Sequence, residues 1–170
     1  MKKYTIPFFL LGSLVMVYVM TKTGATLKTP DTLHGILDLE FAYNTAKTTA
    51  AIDAWTPADN IAAAKLNTWL DFLFLFFYSP FLFFASKKIA QTFNATVAKA
   101  GHLIAKGALL AGFLDILENT GMLLTLNGHT SASIAFLTTF FSVIKWGLAL
   151  IAVLYVLTGA LVLAFRKIKN

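Results

Sequence analysis

Four long apolar runs alternate with polar stretches along the chain: Tyr4 to about Met20, about Leu66 to Ala85, about Leu103 to Leu126, and Ala132 to Phe165. Each meets or approaches the roughly 20 residues that carry a helix across ~30 Å of hydrocarbon. The short alternating segments of a transmembrane barrel are missing. The pattern predicts an all-α fold, a polytopic membrane four-helix bundle in which residues 1–170 form a single membrane domain.

The long first connection, residues 21–65, is not a low-complexity linker, and it predicts a small extracytoplasmic helical cap between the first two spans. Pro30-Asp31 reads as a turn, and Gly35 to Phe41 is half apolar and half acidic. Thr45 to Trp55 has the character of a short helix, with Thr45 as its cap. Thr56-Pro57-Ala58-Asp59 supplies a Thr cap, a Pro at the first helical position and an acid three residues after the cap. The second membrane helix is therefore expected to start there and continue unbroken. Within it, Ser79-Pro80 predicts a bend, because Pro removes a backbone donor.

Charge gives the orientation. Lys2, Lys3, Lys87, Lys88, Lys99, Lys106, Arg166, Lys167 and Lys169 fall on one side of the alternating spans, with no acid among them. Lys22, Lys28, Lys47 and Lys65 fall on the other, beside Asp31, Asp38, Glu40, Asp53 and Asp59. Nine cations against four place both termini in the cytoplasm. The first run, followed by Thr23-Gly24-Ala25, also fits a signal peptide with a weak cleavage site; retention is the expectation, and cleavage leaves the other spans in the same orientation.

Composition agrees with the membrane reading. The chain is 58% hydrophobic with a formal net charge of +6, and its mean hydropathy is +0.72. Soluble domains are usually about 45–50% apolar. The cations flank apolar runs, which points to lipid rather than nucleic acid. The chain has no cysteine, which excludes disulfides, iron–sulfur ligation and c-type haem attachment. No phosphate loop, metalloprotease helix motif or nucleophile elbow is present, and neither a cofactor nor a metal is implied.

The candidate chemistry lies inside the spans. At 100° per residue, Gly101, Ala105, Ala108, Gly112, Asp115 and Asn119 share one stripe of the third span, with Glu118 beside it. Small residues at this spacing admit a neighbouring helix closely, so the polar residues continuing the stripe should face inward. Lys145, Ala149, Ala152 and Gly159 form a similar stripe in the fourth span. Asn67, Asp71, Tyr78, Leu82 and Ala85 do so in the second, leaving most of its phenylalanines for lipid or helix seams. At 1.5 Å per residue, Asp71, Asp115, Glu118 and Lys145 lie ~21, ~18, ~22 and ~30 Å from the inner helix ends. They converge with Asn119 and Tyr78 on one layer in the outer half, which Asp38 and Glu40 are placed to close from above. Glu118 and Asp71 are expected as partners of Lys145 ahead of Asp115. Trp55, Trp69 and Trp146 read as outer-interface markers, and His34, His129 and His102 as surface or capping residues.

GILDLEFA after the first span, WLDF opening the second and DILEN in the third resemble a family of small, uncharacterised bacterial integral membrane proteins. The resemblance runs from Gly35 to about Lys145. It implies a four-helix protein of the bacterial inner (plasma) membrane and brings no catalytic role.

Three functions remain open. The first is a non-enzymatic bundle that binds a small amphiphile at the polar cluster, or serves as an accessory subunit of a larger membrane complex or a homo-oligomer. The second is an enzyme acting on a lipid-like substrate, with Asp115 or Glu118 as general acid or base. The third is an oligomeric proton or cation conduit. An interhelical clamp, with Lys145 as counter-ion, is the plain structural alternative for the same residues.

Overall fold

The computed structural model describes residues 3–169. Met1, Lys2 and Asn170 lie outside them, as does the Lys169 side chain, so two of the cations counted above have no described position. The described chain is helical, with no strand among the described residues. Four helices are long and apolar enough to cross a membrane: α1 (Thr5–Thr23), α4 (Ile61–Ala90), α5 (Ala95–Leu126) and α6 (Ala132–Lys169). The short α2 (Ile36–Glu40) and α3 (Thr45–Trp55) lie between α1 and α4.

The helices outrun the apolar runs that announce them. Hydropathy marks the part of a helix that suits hydrocarbon, whereas the backbone stays helical until a cap stops it. For α5 that cap is Asn94, whose side chain accepts the Val97 N–H at 3.1 Å. The connection from α4 to α5 therefore shrinks to residues 91–94.

α4, α5 and α6 form the core, with α5 packed along both neighbours, while α1 lies along α4. α1 is thus a flanking helix and not an equal fourth member. Gly12 brings it onto the Phe77 ring, Phe9 stacks on Phe84 at 5.9 Å, and Asn67 of α4 donates to the Met20 carbonyl and the Thr23 hydroxyl, each at 2.9 Å. Within the core, Gly101 meets Tyr155 and Ala90, Gly121 meets Thr138, and Gly159 meets Ile89. Such contacts are the close approaches that small residues permit.

Pro80 sits inside an unbroken α4. The Ser79 hydroxyl donates at 3.0 Å to the Ala108 carbonyl of α5, so it joins two helices.

The cap has its own core. Trp55 is fully buried among Leu27, Leu39, Ala51, Ala64, Met122 and Leu126. Its indole N–H donates to the Leu27 carbonyl at 2.9 Å and to the Thr32 hydroxyl at 3.1 Å. With that donor satisfied inside the protein, Trp55 is a packing centre and not an interface marker; Trp69, by contrast, is 61% exposed. Asn44, not Thr45, caps α3, accepting the Lys47 N–H at 2.9 Å. Thr56 does not start α4. Residues Thr56–Ala58 form a 3-10 turn that continues from α3, with the Thr56 hydroxyl donating back to Ile52. Asp59 then adopts a left-handed conformation (φ 53°), which ends the turn before α4 begins.

Gly112 gives the sharpest packing test. A Cβ there would lie 2.6 Å from the Ser79 oxygen and 2.7 Å from its Cβ. Gly112→Leu should destabilise the purified protein by on the order of 1–3 kcal/mol or more. Phe76→Leu, at a ring 55% exposed, should change stability far less. Thermal unfolding in detergent checks this, and equal tolerance of the two changes would contradict the assigned faces.

Candidate functional site: a buried carboxylate layer

α5 supplies the floor of the site. Its stripe of Gly101, Ala105, Ala108, Gly112, Asp115 and Asn119 is buried throughout. The last two turns of that stripe exchange small side chains for polar ones at the place where α4 and α6 approach. Glu118 lies beside them and is wholly buried.

Lys145 of α6 reaches into this floor. Its Nζ donates to Asp115 Oδ1 at 3.0 Å and to Glu118 Oε1 at 2.9 Å. Glu118 Oε2 stands 2.8 Å from the same nitrogen as an ion-pair contact without hydrogen-bond alignment. Glu40 of α2 completes the set from the cap, 3.7 Å from Nζ. The expected preference of Lys145 for Glu118 or Asp71 is half matched: Asp115 is a direct partner and Asp71 is not. Asp71 instead accepts from Asn119 Nδ2 at 2.9 Å, and the same amide lies 3.4 Å from Asp115 Oδ1. Tyr78, two turns farther along α4, donates to Asp115 Oδ2 at 2.8 Å.

The structure thus brings Asp71, Tyr78, Asp115, Glu118, Asn119, Lys145 and Glu40 into one connected layer. Asp38 is outside it. Two residues apart on a helix is a rotation of about 200°, so Asp38 and Glu40 cannot face the same way on α2. Asp38 accepts the His34 backbone N–H at 2.8 Å and faces the His34 ring at 3.3 Å.

Several participants escape a reading of the sequence. Trp146 donates its indole N–H to Glu40 Oε2 at 3.1 Å, and the Thr139 hydroxyl holds the Glu40 carbonyl at 2.9 Å. Both come from α6, so Glu40 is gripped by the helix that also carries Lys145. Thr138 and Ser142 are buried with hydroxyls that have no protein partner. Their signal was available: Thr138, Ser142 and Lys145 continue the α6 stripe at spacings of four and three. Asn119 Oδ1 is a further buried acceptor without a partner.

Four carboxyl groups surround one ammonium. Fully ionised, the layer would hold three uncompensated negative charges, each costly to bury. Its small exposure is uneven. Asp115, Glu118 and Asn119 are sealed at 1%, 0% and 0%, whereas Asp71, Lys145 and Glu40 retain 7%, 6% and 5%. The little exposure the layer keeps is therefore on the side of Asp71, Lys145 and Glu40. Among the described residues, no group of three or more acids, histidines or cysteines is arranged to hold a metal ion; Lys145 occupies the point on which the carboxylates converge. Two hollows of about 310 and 490 Å³ lie elsewhere, at the cap around Ile52 and Ile61 and at the far end of α5 around Leu103.

No known protein family matches the chain, and no curated protein or solved structure matches it.

The contacts predict an ordered set of mutational costs. Lys145→Met leaves buried acids uncompensated and should cost on the order of 3–5 kcal/mol. Adding Glu118→Gln or Asp115→Asn should restore part of that loss. Adding Asp71→Asn should restore less, since Asp71 makes no contact with Lys145. Denaturation of all four proteins in one detergent tests the order; a harmless Lys145→Met would mean that the layer is not an electrostatic unit.

Proposed function

We propose that the chain is a multi-pass protein of a bacterial inner (plasma) membrane, with both termini cytoplasmic, whose carboxylate layer binds the cationic headgroup of a small amphiphile without acting on it chemically. Four long apolar helices support the membrane placement. The excess of cations at one end supports the orientation.

The observation that carries the binding reading is the excess of carboxyl groups around Lys145. That imbalance is met by bound protons or by a bound cation. The carboxyl groups placed to meet an ammonium are those of Asp71 and Glu40, the acids of the layer that keep some exposure. The slight exposure that remains, at Asp71 and Glu40, gives a headgroup its side of approach. An amphiphile could enter there with its head toward the acids and its tail in the surrounding apolar phase.

The other readings have less support. General acid–base chemistry needs a free carboxyl beside a substrate, and Asp115 and Glu118 are both engaged by Lys145 and sealed from outside. A conduit needs polar groups through the remaining length. Beyond Tyr78, the next buried hydroxyl on α4 without a partner is Ser86, eight residues and ~12 Å farther along the helix, with Leu82 and Ala85 between them.

Two experiments test the proposal. The chain has no cysteine, so single cysteines introduced at the exposed positions Thr49 and Thr92 should label from opposite faces of sealed vesicles, Thr49 from outside. Labelling of both from one side would reject the topology. For binding, dodecylammonium should stabilise the detergent-purified protein against heat, and a neutral dodecyl amphiphile should not. Asp71→Asn should weaken the dodecylammonium response about tenfold in concentration, equivalent to ~1.4 kcal/mol. An equal response to the neutral compound, or an unchanged response in the variant, would remove the cationic-head reading.

A further inference from the structure

At the opposite end of the bundle, the first turns of α5 carry a second chemically distinct face. Lys99, His102, Leu103 and Lys106 fall within about 100° of arc, and all four are exposed. With Thr96 and Ala100 they make up an open stretch of the α5 surface. Leu103, 71% exposed, stands between the two lysines. The other side of the same turns, Gly101, Ala105 and Ala108, is buried in the bundle, so the basic face points away from it.

Lys106 is the anomaly. It lies one turn inside the apolar run that begins at Leu103, ~4.5 Å past the run's edge. An outward-facing ammonium at that depth is expensive in hydrocarbon unless its stem bends back to a counter-anion at the headgroup level. Among the described residues the chain offers none. All eight acids lie in the cap or in the carboxylate layer, and the nearest on α5, Asp115, is nine residues away and already bound to Lys145 and Tyr78. Lys87, Lys88, Arg166 and Lys167 belong to the same end of the bundle and add further positive charge; the Arg166 guanidinium lies 3.5 Å from the Thr92 carbonyl.

We infer that this face of α5 binds an anionic phospholipid, with Lys99, His102 and Lys106 around the headgroup phosphate and Leu103 against the acyl chain. The inference rests on the membrane placement of α5 and is independent of what the carboxylate layer holds. Two ammoniums about two turns apart, with an imidazole between them, offer donors on both sides of a phosphate. The exposed leucine suits a lipid better than a free anion.

The test is native mass spectrometry of the protein in neutral detergent, with phosphatidylglycerol and phosphatidylcholine supplied equally. The protein should retain phosphatidylglycerol about tenfold more than phosphatidylcholine. Lys99→Gln/Lys106→Gln should bring retention close to the phosphatidylcholine level. Lys87→Gln/Lys88→Gln, which removes the same charge from the same end, should leave most of it. Lys99→Arg/Lys106→Arg should preserve it, which covers the case in which the glutamine variant folds poorly. Asp71→Asn should have no effect, separating this site from the carboxylate layer. Equal retention of the two lipids, equal losses in both glutamine variants, or displacement of the lipid by millimolar inorganic phosphate would each overturn the inference.

Discussion

A single buried ammonium organises this molecule. Lys145 reaches Asp115 and Glu118 of α5 and Glu40 of the cap, so α2, α5 and α6 meet at one nitrogen. Asp115 then extends the network to α4 through Tyr78 and Asn119. Dispersion between apolar helices is unspecific in lipid, because the tails resemble the side chains they replace. A buried charge set is different. It has few satisfactory arrangements, and any rotation of α6 that removes Lys145 leaves acids without a counter-charge. The layer therefore fixes which faces of α4, α5 and α6 meet, whether or not it contributes net stability.

That arrangement depends on how close the helices can come. Asp115 lies three residues after Gly112, where Ser79 fills the space a side chain would need and donates to the Ala108 carbonyl. Glu118 lies three residues before Gly121, which admits Thr138 of α6. Glycine thus stands one turn before the first acid of α5 and one turn after the second. Larger residues at either place would push α4 or α6 outward and lengthen the polar contacts between them. Packing and electrostatics in this core are consequently not separable contributions: the small residues set the distances at which the ion pairs form.

The parts legible in the sequence are those governed by one period or one composition rule. The α5 stripe follows from helical geometry, and the extent of α3 follows from local pattern. Mixed environments are less legible. Trp55 obeys the preference of tryptophan for interfaces only until a carbonyl and a hydroxyl inside the cap satisfy its N–H. Thr56-Pro57 has the residues of a helix start, but the preceding helix runs into it and Asp59 turns the chain afterwards. The pairing of Lys145 with Asp115 was masked for a similar reason. A depth count along separate helices, even with the lysine's reach allowed for, omits their tilt, which shifts such depths by several ångströms and so does not rank one acid above another. The peripheral position of α1 is invisible to hydropathy, which sees four comparable runs and not their neighbours.

Glu40 links the cap to the long helices in a way that neither part dictates alone. Its carboxylate is held by Lys145 and Trp146, and its backbone carbonyl by Thr139, all from α6. One residue earlier, Leu39 belongs to the cap core around Trp55. α2 has only five residues, so these anchors are less than two turns apart along it. The cap cannot slide across the bundle without either leaving its own core or withdrawing a carboxylate from Lys145. Withdrawal would take one carboxyl group away from the ammonium and uncover the side where Asp71 already has slight exposure. The seat of the cap and the contacts of the layer beneath it are therefore joined at a helix of five residues.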